Sequence, residues 1–355
     1  MTANKRLSPS LGWTSFLLVA VIGLAYVKWL PYAQRAQVAA ERHSIGGSIL
    51  MGQASQPPAP SWDAALGYAL AYGGAIWKAM VLGLLLGSAL QALLPARAIG
   101  RALGATGFGS VLAGGLLSLP GMMCTCCAAP VVAGLRARQA SPGASIAFWL
   151  GNSVLNPATL VFMGFVLGWN WSALRLLLGV PMVFGAGYFV NRLVTAREAA
   201  AAQRQLESLA REEEREEHAG AAAFARWMRL LAQMALRLVP EYIVLVLLLG
   251  AARAWLFPQV GPQIGNELPW ILAFAAAGTL FVIPTAGEVP IVQAMLALGV
   301  GAGPAAALLM TLPPVSLPSL AMLAGSFRPS ALAWVVGAVF VAGVGGGLLA
   351  IALGF

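Results

Sequence analysis

Apolar residues dominate long runs of this chain, near residues 12–30, 66–94, 143–168, 172–191, 230–256, 305–326 and 331–353. A helix that crosses a bilayer needs roughly 20 apolar residues, so each run predicts a spanning segment. Two further apolar segments, 107–137 and 269–298, are interrupted near their middles by Pro120 and Pro284. Proline lacks the backbone donor and breaks a helix. The resulting pieces are too short to cross alone, which predicts re-entrant segments surrounded by protein or lining a cavity.

The order of these elements repeats. VLGLLLGSALQALLP (81–95) matches VLVLLLGAARAWLFP (244–258) at nine of fifteen positions, at an offset of 163. At an offset of 160, residues 124–160 align without a gap on 284–320, bringing Thr125 onto Thr285, Pro130 onto Pro290, Gly143 onto Gly303 and Leu160 onto Leu320. The expected fold is therefore an all-α polytopic membrane protein of two repeats, each with a broken or re-entrant segment near the midplane. Residues 1–62 form an N-terminal transmembrane helix and polar connection, 63–194 the first repeat, 195–228 a charged helical linker and 229–355 the second repeat. With the linker placed in the cytoplasm, re-entrant segments put fourteen basic residues inside and five outside, whereas full crossings give twelve and seven. The positive-inside rule favours the first arrangement. The two halves then enter from opposite sides, as in transporters built from inverted repeats.

Composition narrows the function. Of 355 residues, 59% are hydrophobic and 9% charged, whereas about a quarter of a soluble domain's residues are charged. The net charge of +9 does not indicate nucleic acid, because the basic residues mostly flank hydrophobic runs or lie among the glutamates of the linker. The first helix reads as retained, since its apolar part from Leu11 to Leu30 exceeds a signal peptide's core of about 7–15 residues. No phosphate-binding loop, histidine-based zinc spacing or hydrolytic triad is present, and no cofactor is expected. The linker suits either a passive connection or docking of a membrane partner subunit, and a homo-oligomer is compatible with the sequence.

The candidate chemistry concentrates at the helix breaks. LPGMMCTCCAAPVV (119–132) holds all three cysteines of the chain, Cys124, Cys126 and Cys127. With a break at Pro120-Gly121, Thr125 is placed to cap the next half-helix, putting Cys126 and Cys127 in its first turn. Unpaired amides and the helix dipole there favour negative charge, the condition in which a thiol acts as nucleophile or ligand. Thiolates suit soft centres such as Cu(I) or trivalent arsenic, so the three cysteines ligate metal only if a soft metal or metalloid is the cargo. The alternative is that small, readily buried cysteines simply pack at the break.

At the second break, Thr285 and Glu288 have capping-box spacing. Yet an ionisable group at membrane depth costs about 2.5–3.5 kcal/mol, which gives Glu288 a reason to act in coupling or substrate electrostatics. Lys78 and Glu241 fall on equivalent positions of the two halves, and a Lys78–Glu241 or Lys78–Glu288 pair is expected. Asn152 and Asn156 share a helix face and, with Thr311 and Ser316 as weaker counterparts, are candidates to line the site.

The run CTCC…P…PGASIAFWLGNSVLNPATLVF resembles the ArsP-type permease family, and PTAGEVPIVQAMLALGVGAGPAAALLMTLPPVSLPSL resembles the second half of its YraQ-like branch. The resemblance implies a polytopic permease of the cytoplasmic (inner) membrane, and in some members export of trivalent organoarsenicals. On that resemblance Cys124 and Cys126 match the family's cysteine pair, and Cys127 is an addition. The combined reading is secondary, proton-coupled efflux of a small thiophilic solute. Alternatives are a soft-metal or sulfur-species permease and a membrane thiol oxidoreductase.

Overall fold

The computed structural model describes residues 9–50, 58–219, 223–257 and 261–355, and among them the ordered elements are helices throughout. The chain opens with α1 (Pro9–Leu24), a π-helical turn at Ala25–Trp29 and α2 (Leu30–Arg42), stacked end to end. The polar connection expected from residue 31 thus begins as helix. Pro31 lies just after the π-helical turn inside one continuous helical stretch, where its missing amide interrupts the hydrogen-bond ladder.

Next come α3 (Trp62–Leu93), α4 (Ala96–Leu103), the half-helices α5 (Phe108–Ser118) and α6 (Thr125–Ala137), the broken pair α7 (Pro142–Val154) and α8 (Pro157–Val166), and α9 (Trp169–Arg192). After the linker helix α10 (Ala196–Ala219), the order of lengths recurs. It runs through α11 (Ala223–Leu256), half-helices α12 (Leu268–Leu280) and α13 (Glu288–Ala297), the broken pair α14 (Ala302–Thr311) and α15 (Leu317–Ala324), and α16 (Pro329–Ala352). Among the described residues, six helical stretches are long and apolar enough to cross a membrane: 12–42, 62–93, 142–166, 169–192, 224–256 and 329–352.

The half-helices of each break turn back to the side they came from. The Ser141 amide donates to the Leu103 carbonyl at 2.7 Å, closing the mouth of the α5–α6 hairpin. The Gly301 amide donates to Ile264 O at 2.8 Å, and Gly303 N to Asn266 Oδ1 at 2.9 Å, closing that of α12–α13. α11 separates the mouths, so one opens beside α10 and the other at the opposite face. At about 1.5 Å per residue, half-helices of 10–13 residues reach about halfway through a hydrocarbon core of about 30 Å. Their tips meet inside the protein.

Lipid tails give no hydrophobic force between helices, so close packing through small residues holds them together. A side chain on Gly83 would strike the Cys127 carbonyl, and one on Gly87 the carbonyl of Pro130. α3 thus lies against the backbone of α6 directly below the cysteines. We expect Gly83→Leu to lower stability by about 1–3 kcal/mol, as overpacking does. Thermal unfolding in detergent measures the loss, and an unchanged transition would mean that α3 and α6 separate freely.

α10 lies on the helix ends beside the first hairpin, through Arg138–Glu213 and Arg328–Glu198 ion pairs. The Thr195 amide, then its hydroxyl, bonds the Glu198 carboxylate and holds its pKa below the usual range. A depressed carboxyl stabilises the folded form at neutral pH and loses that contribution as pH falls through its lowered value. Amide protection along the first turns of α10, taken relative to each amide's intrinsic exchange rate, should therefore fall as pH drops below the ordinary carboxylate range, and protection that is flat with pH would remove Glu198 as the anchor.

Candidate functional site at the meeting of the helix breaks

Each hairpin tip contains a residue in the left-handed backbone region without being glycine: Met122 at φ 49° and Ala286 at φ 66°. Such strain persists only where surroundings enforce it, and it collects at functional sites. Here the enforcing contacts come from the N-terminal helix. Trp29 Nε1 donates to the Pro120 carbonyl at 2.8 Å, holding the first tip. Its neighbour Lys28 donates to Thr285 Oγ1 at 3.1 Å, holding the second, and to Tyr32 Oη at 3.0 Å. The π-helical turn at Ala25–Trp29 widens the helix at this point, a distortion common at functional sites.

The cysteines lie where the tips converge. Cys124 caps α6 and Thr125 is its first residue, one position earlier than expected, with Cys126 and Cys127 in the first turn as anticipated. All three are free and buried. The Cys124 and Cys127 sulfurs are 3.1 Å apart. With metal–sulfur bonds near 2.3 Å, two sulfurs at that separation can share one bound atom. Cys126 faces the other way, its sulfur 3.8 Å from Tyr72 Oη and 3.6 Å from Ser316 Oγ. Tyr72 also donates to the Ile283 carbonyl at 3.4 Å, and Tyr68 to that of Val282, so α3 ties the cysteines to the second tip.

A cavity of about 10 Å³ is walled by Cys124, Ser153, Thr285 and Glu288, about enough for one water. Glu288 accepts from Arg175 Nη1 at 2.6 Å through Oε1, while its other oxygen, Oε2, has no partner. Both side chains are 1% exposed. Arg175 is fixed by the carbonyls of Val154 at 3.0 Å and Ser153 at 2.6 Å, which the break after α7 leaves without helical partners.

Three expectations change on this geometry. The Thr285–Glu288 capping box does not form, because the turn runs to Gly287, α13 starts at Glu288, and Thr285 bonds Lys28 instead. The Lys78–Glu241 and Lys78–Glu288 pairs do not form either. Arg175 takes Glu288, Glu241 is exposed, and Lys78 lies over the Tyr26 and Trp77 rings at 5.5 and 5.7 Å. Thr311 bonds back to Ala307 O at 2.9 Å and fills the space beside Gly278 and Gly343, a packing role.

The asparagines support the site from behind. Asn152 Oδ1 accepts from the Met123 amide at 3.4 Å, and Asn156 caps α8 through the amides of Ala158 and Thr159. Ser316 caps α15 and faces Cys126.

Lys28, Tyr72 and Arg175 are the residues that sequence reasoning missed. Each is a polar side chain inside an apolar run, and for Lys28 and Arg175 the charge alone was the available signal.

Comparison with known proteins adds the family. A model described as a predicted permease, ArsP_1, matches residues 61–351. The UPF0718 protein YraQ of Escherichia coli (strain K12) is 52% identical over 346 residues, covering 97% of this chain and 96% of that protein. No solved structure matches. The matched span takes in both half-helix pairs and the cysteines between them, and the chain belongs to the ArsP_1 family of predicted permeases, multi-pass proteins of the membrane.

Proposed function

We propose that this permease moves a small thiophilic solute, with trivalent organoarsenicals as the type, and holds it transiently on Cys124 and Cys127. The single observation that carries the reading is the pair of sulfurs 3.1 Å apart at a cavity shared with the unpartnered oxygen of Glu288. A trivalent arsenical bearing two hydroxyls exchanges both for thiols: two As–S bonds form, two As–O bonds break, and two waters leave with the thiol protons. Hydrolysis reverses the step and frees the cargo. Cys126 is a third thiol within the same turn. A soft metal bound here would be cargo.

We read the two halves, 63–194 and 229–355, as an inverted repeat that rocks about the tips, with the strained residues Met122 and Ala286 as hinge points. Glu288 is the proton carrier. Protonation weakens its bond to Arg175, which links the ion pair to the orientation of the second tip. We assign secondary, proton-coupled efflux across the inner membrane.

The test is flux of methylarsonous acid, Cu(I) and thiosulfate into inside-out vesicles under an imposed pH gradient. Gradient-driven arsenic accumulation is expected, and failure to move any of the three would overturn the reading.

A second reading has its own support. Cys124 and Cys127 stand at Cys-x-x-Cys spacing on a helix N-terminus, the arrangement of thiol–disulfide oxidoreductases. A redox titration that finds a reversible Cys124–Cys127 disulfide, together with no solute flux, would favour it.

A further inference from the structure

A cavity of about 450 Å³ adjoins the cysteine site and carries positive charge only. It lies between the N-terminal helix, α3 and the second tip, and its charged lining residues are Lys28, Arg35 and Lys78. None of the lining residues is acidic. The Pro284–Ala286 turn is common to this cavity and to the small one beside Cys124, so one strained turn stands between the basic space and the thiol.

Lys28 sits at the boundary and is 4% exposed. It lies about midway along the membrane-spanning length. Gly12 packs on Leu93 and Gly23 on Leu82, which sets the helix antiparallel to α3 and brings residue 28 level with the centre of α3. A cation at that depth ordinarily pairs with a carboxylate. Among the described residues Lys28 has no such partner, and its two hydrogen bonds go to neutral hydroxyls. An ammonium carries three donors, so one is left to point at cargo. The glutamate close by, Glu288, is taken by Arg175. Lys28 and Arg35 also precede the span matched by the family model, which begins at residue 61.

We propose that the natural solute is a small anion with a soft sulfur or arsenic centre, which travels through the basic cavity and meets Lys28 before Cys124. The proposal rests on the thiol reading above and assigns a charge to its solute. Lys28 binds the negative oxygens of the solute, and the thiols hold the soft atom by contact. Arg35 and Lys78 gather anions from the open side, an effect that salt screens.

The experiment uses the full chain in proteoliposomes, with thiosulfate as the soft anion, sulfate as its oxygen-only counterpart and methylarsonous acid as a neutral thiophile. We expect thiosulfate to move and sulfate not to. Lys28→Gln keeps polar contacts to Tyr32 and Thr285, yet should cut thiosulfate flux about 10–100-fold, the effect of losing a charged hydrogen bond. Lys28→Arg should restore most of it. Lys78→Gln should cost only about 2–5-fold, and only at low salt. Thiosulfate should also protect Cys124 from maleimide in the wild type but not in Lys28→Gln.

Methylarsonous acid carried by the wild type, lost without the cysteines and indifferent to Lys28→Gln, with thiosulfate immobile, would overturn the anion proposal and leave the thiol reading standing. Thiosulfate flux that needs Lys28 but survives removal of all three cysteines would overturn the thiol reading and leave only anion binding at Lys28. No flux of any probe would overturn both.

Discussion

Replacing Arg175 with methionine lowers the stability of the folded chain by about 3–5 kcal/mol. The side chain is 1% exposed and holds three partners at once: the Val154 carbonyl, the Ser153 carbonyl and Glu288. Its removal leaves a buried carboxylate without a counter-charge and two carbonyls without donors. Glu288→Gln should cost less, because an amide oxygen can still accept from the guanidinium. The double variant Arg175→Met/Glu288→Leu recovers most of the loss, since a buried ion pair is often no more stable than an apolar pair of similar size. It also separates stability from coupling, because it folds but has no carboxyl to carry a proton. Chemical unfolding in detergent and gradient-driven flux read the two effects independently. A double variant that still couples flux to the pH gradient would remove Glu288 from the mechanism.

The second large effect concerns the cysteines, which divide unequally. Cys124→Ser and Cys127→Ser each abolish the two-sulfur grip, and flux of a thiophilic solute should fall at least about 100-fold. Holding one atom by two tethered groups gains the effective concentration of the second, which is lost with either. Cys126→Ser should cost only about 2–5-fold, because its sulfur faces Tyr72 and Ser316 and a serine hydroxyl can take both hydrogen bonds. Equal losses at all three positions would show that the solute is held by three thiols and not by the pair described.

How much of this was legible in the sequence follows from what each feature depends on. The helix breaks were readable because Pro120 and Pro284 act through local backbone chemistry. The return of each hairpin was only favoured over a full crossing, by the distribution of Arg136, Arg138 and Arg328 across the two sides. Hydrophobic length gave the order of long and half-length helices except at 305–326, a run long enough to span that the structure divides into the short helices α14 and α15. The partner of Glu288 was not readable. Five cations, Lys28, Lys78, Arg175, Arg237 and Arg253, lie within apolar runs, and only the packing of α9 against α7 decides that Arg175 reaches the carboxylate. Symmetry between the halves pointed to Lys78 and Glu241, but Lys78 lines the basic cavity and Glu241 is exposed. Lys28 was hidden for a different reason. It sits near the end of the first apolar run, where a lysine ordinarily snorkels to the interface, and only the continuation of that helix through Arg42 places it deep. The role of Thr285 changed with it, from a cap to the acceptor of the lysine.

The central claim is that the solute is held by thiols at the junction of the two tips. Its most direct test is solute flux into vesicles by the chain with Cys124, Cys126 and Cys127 all replaced by serine, compared at equal membrane content with the wild type. The account predicts background flux for every thiophilic probe that the wild type carries. Flux at the wild-type level in the cysteine-free chain would contradict it.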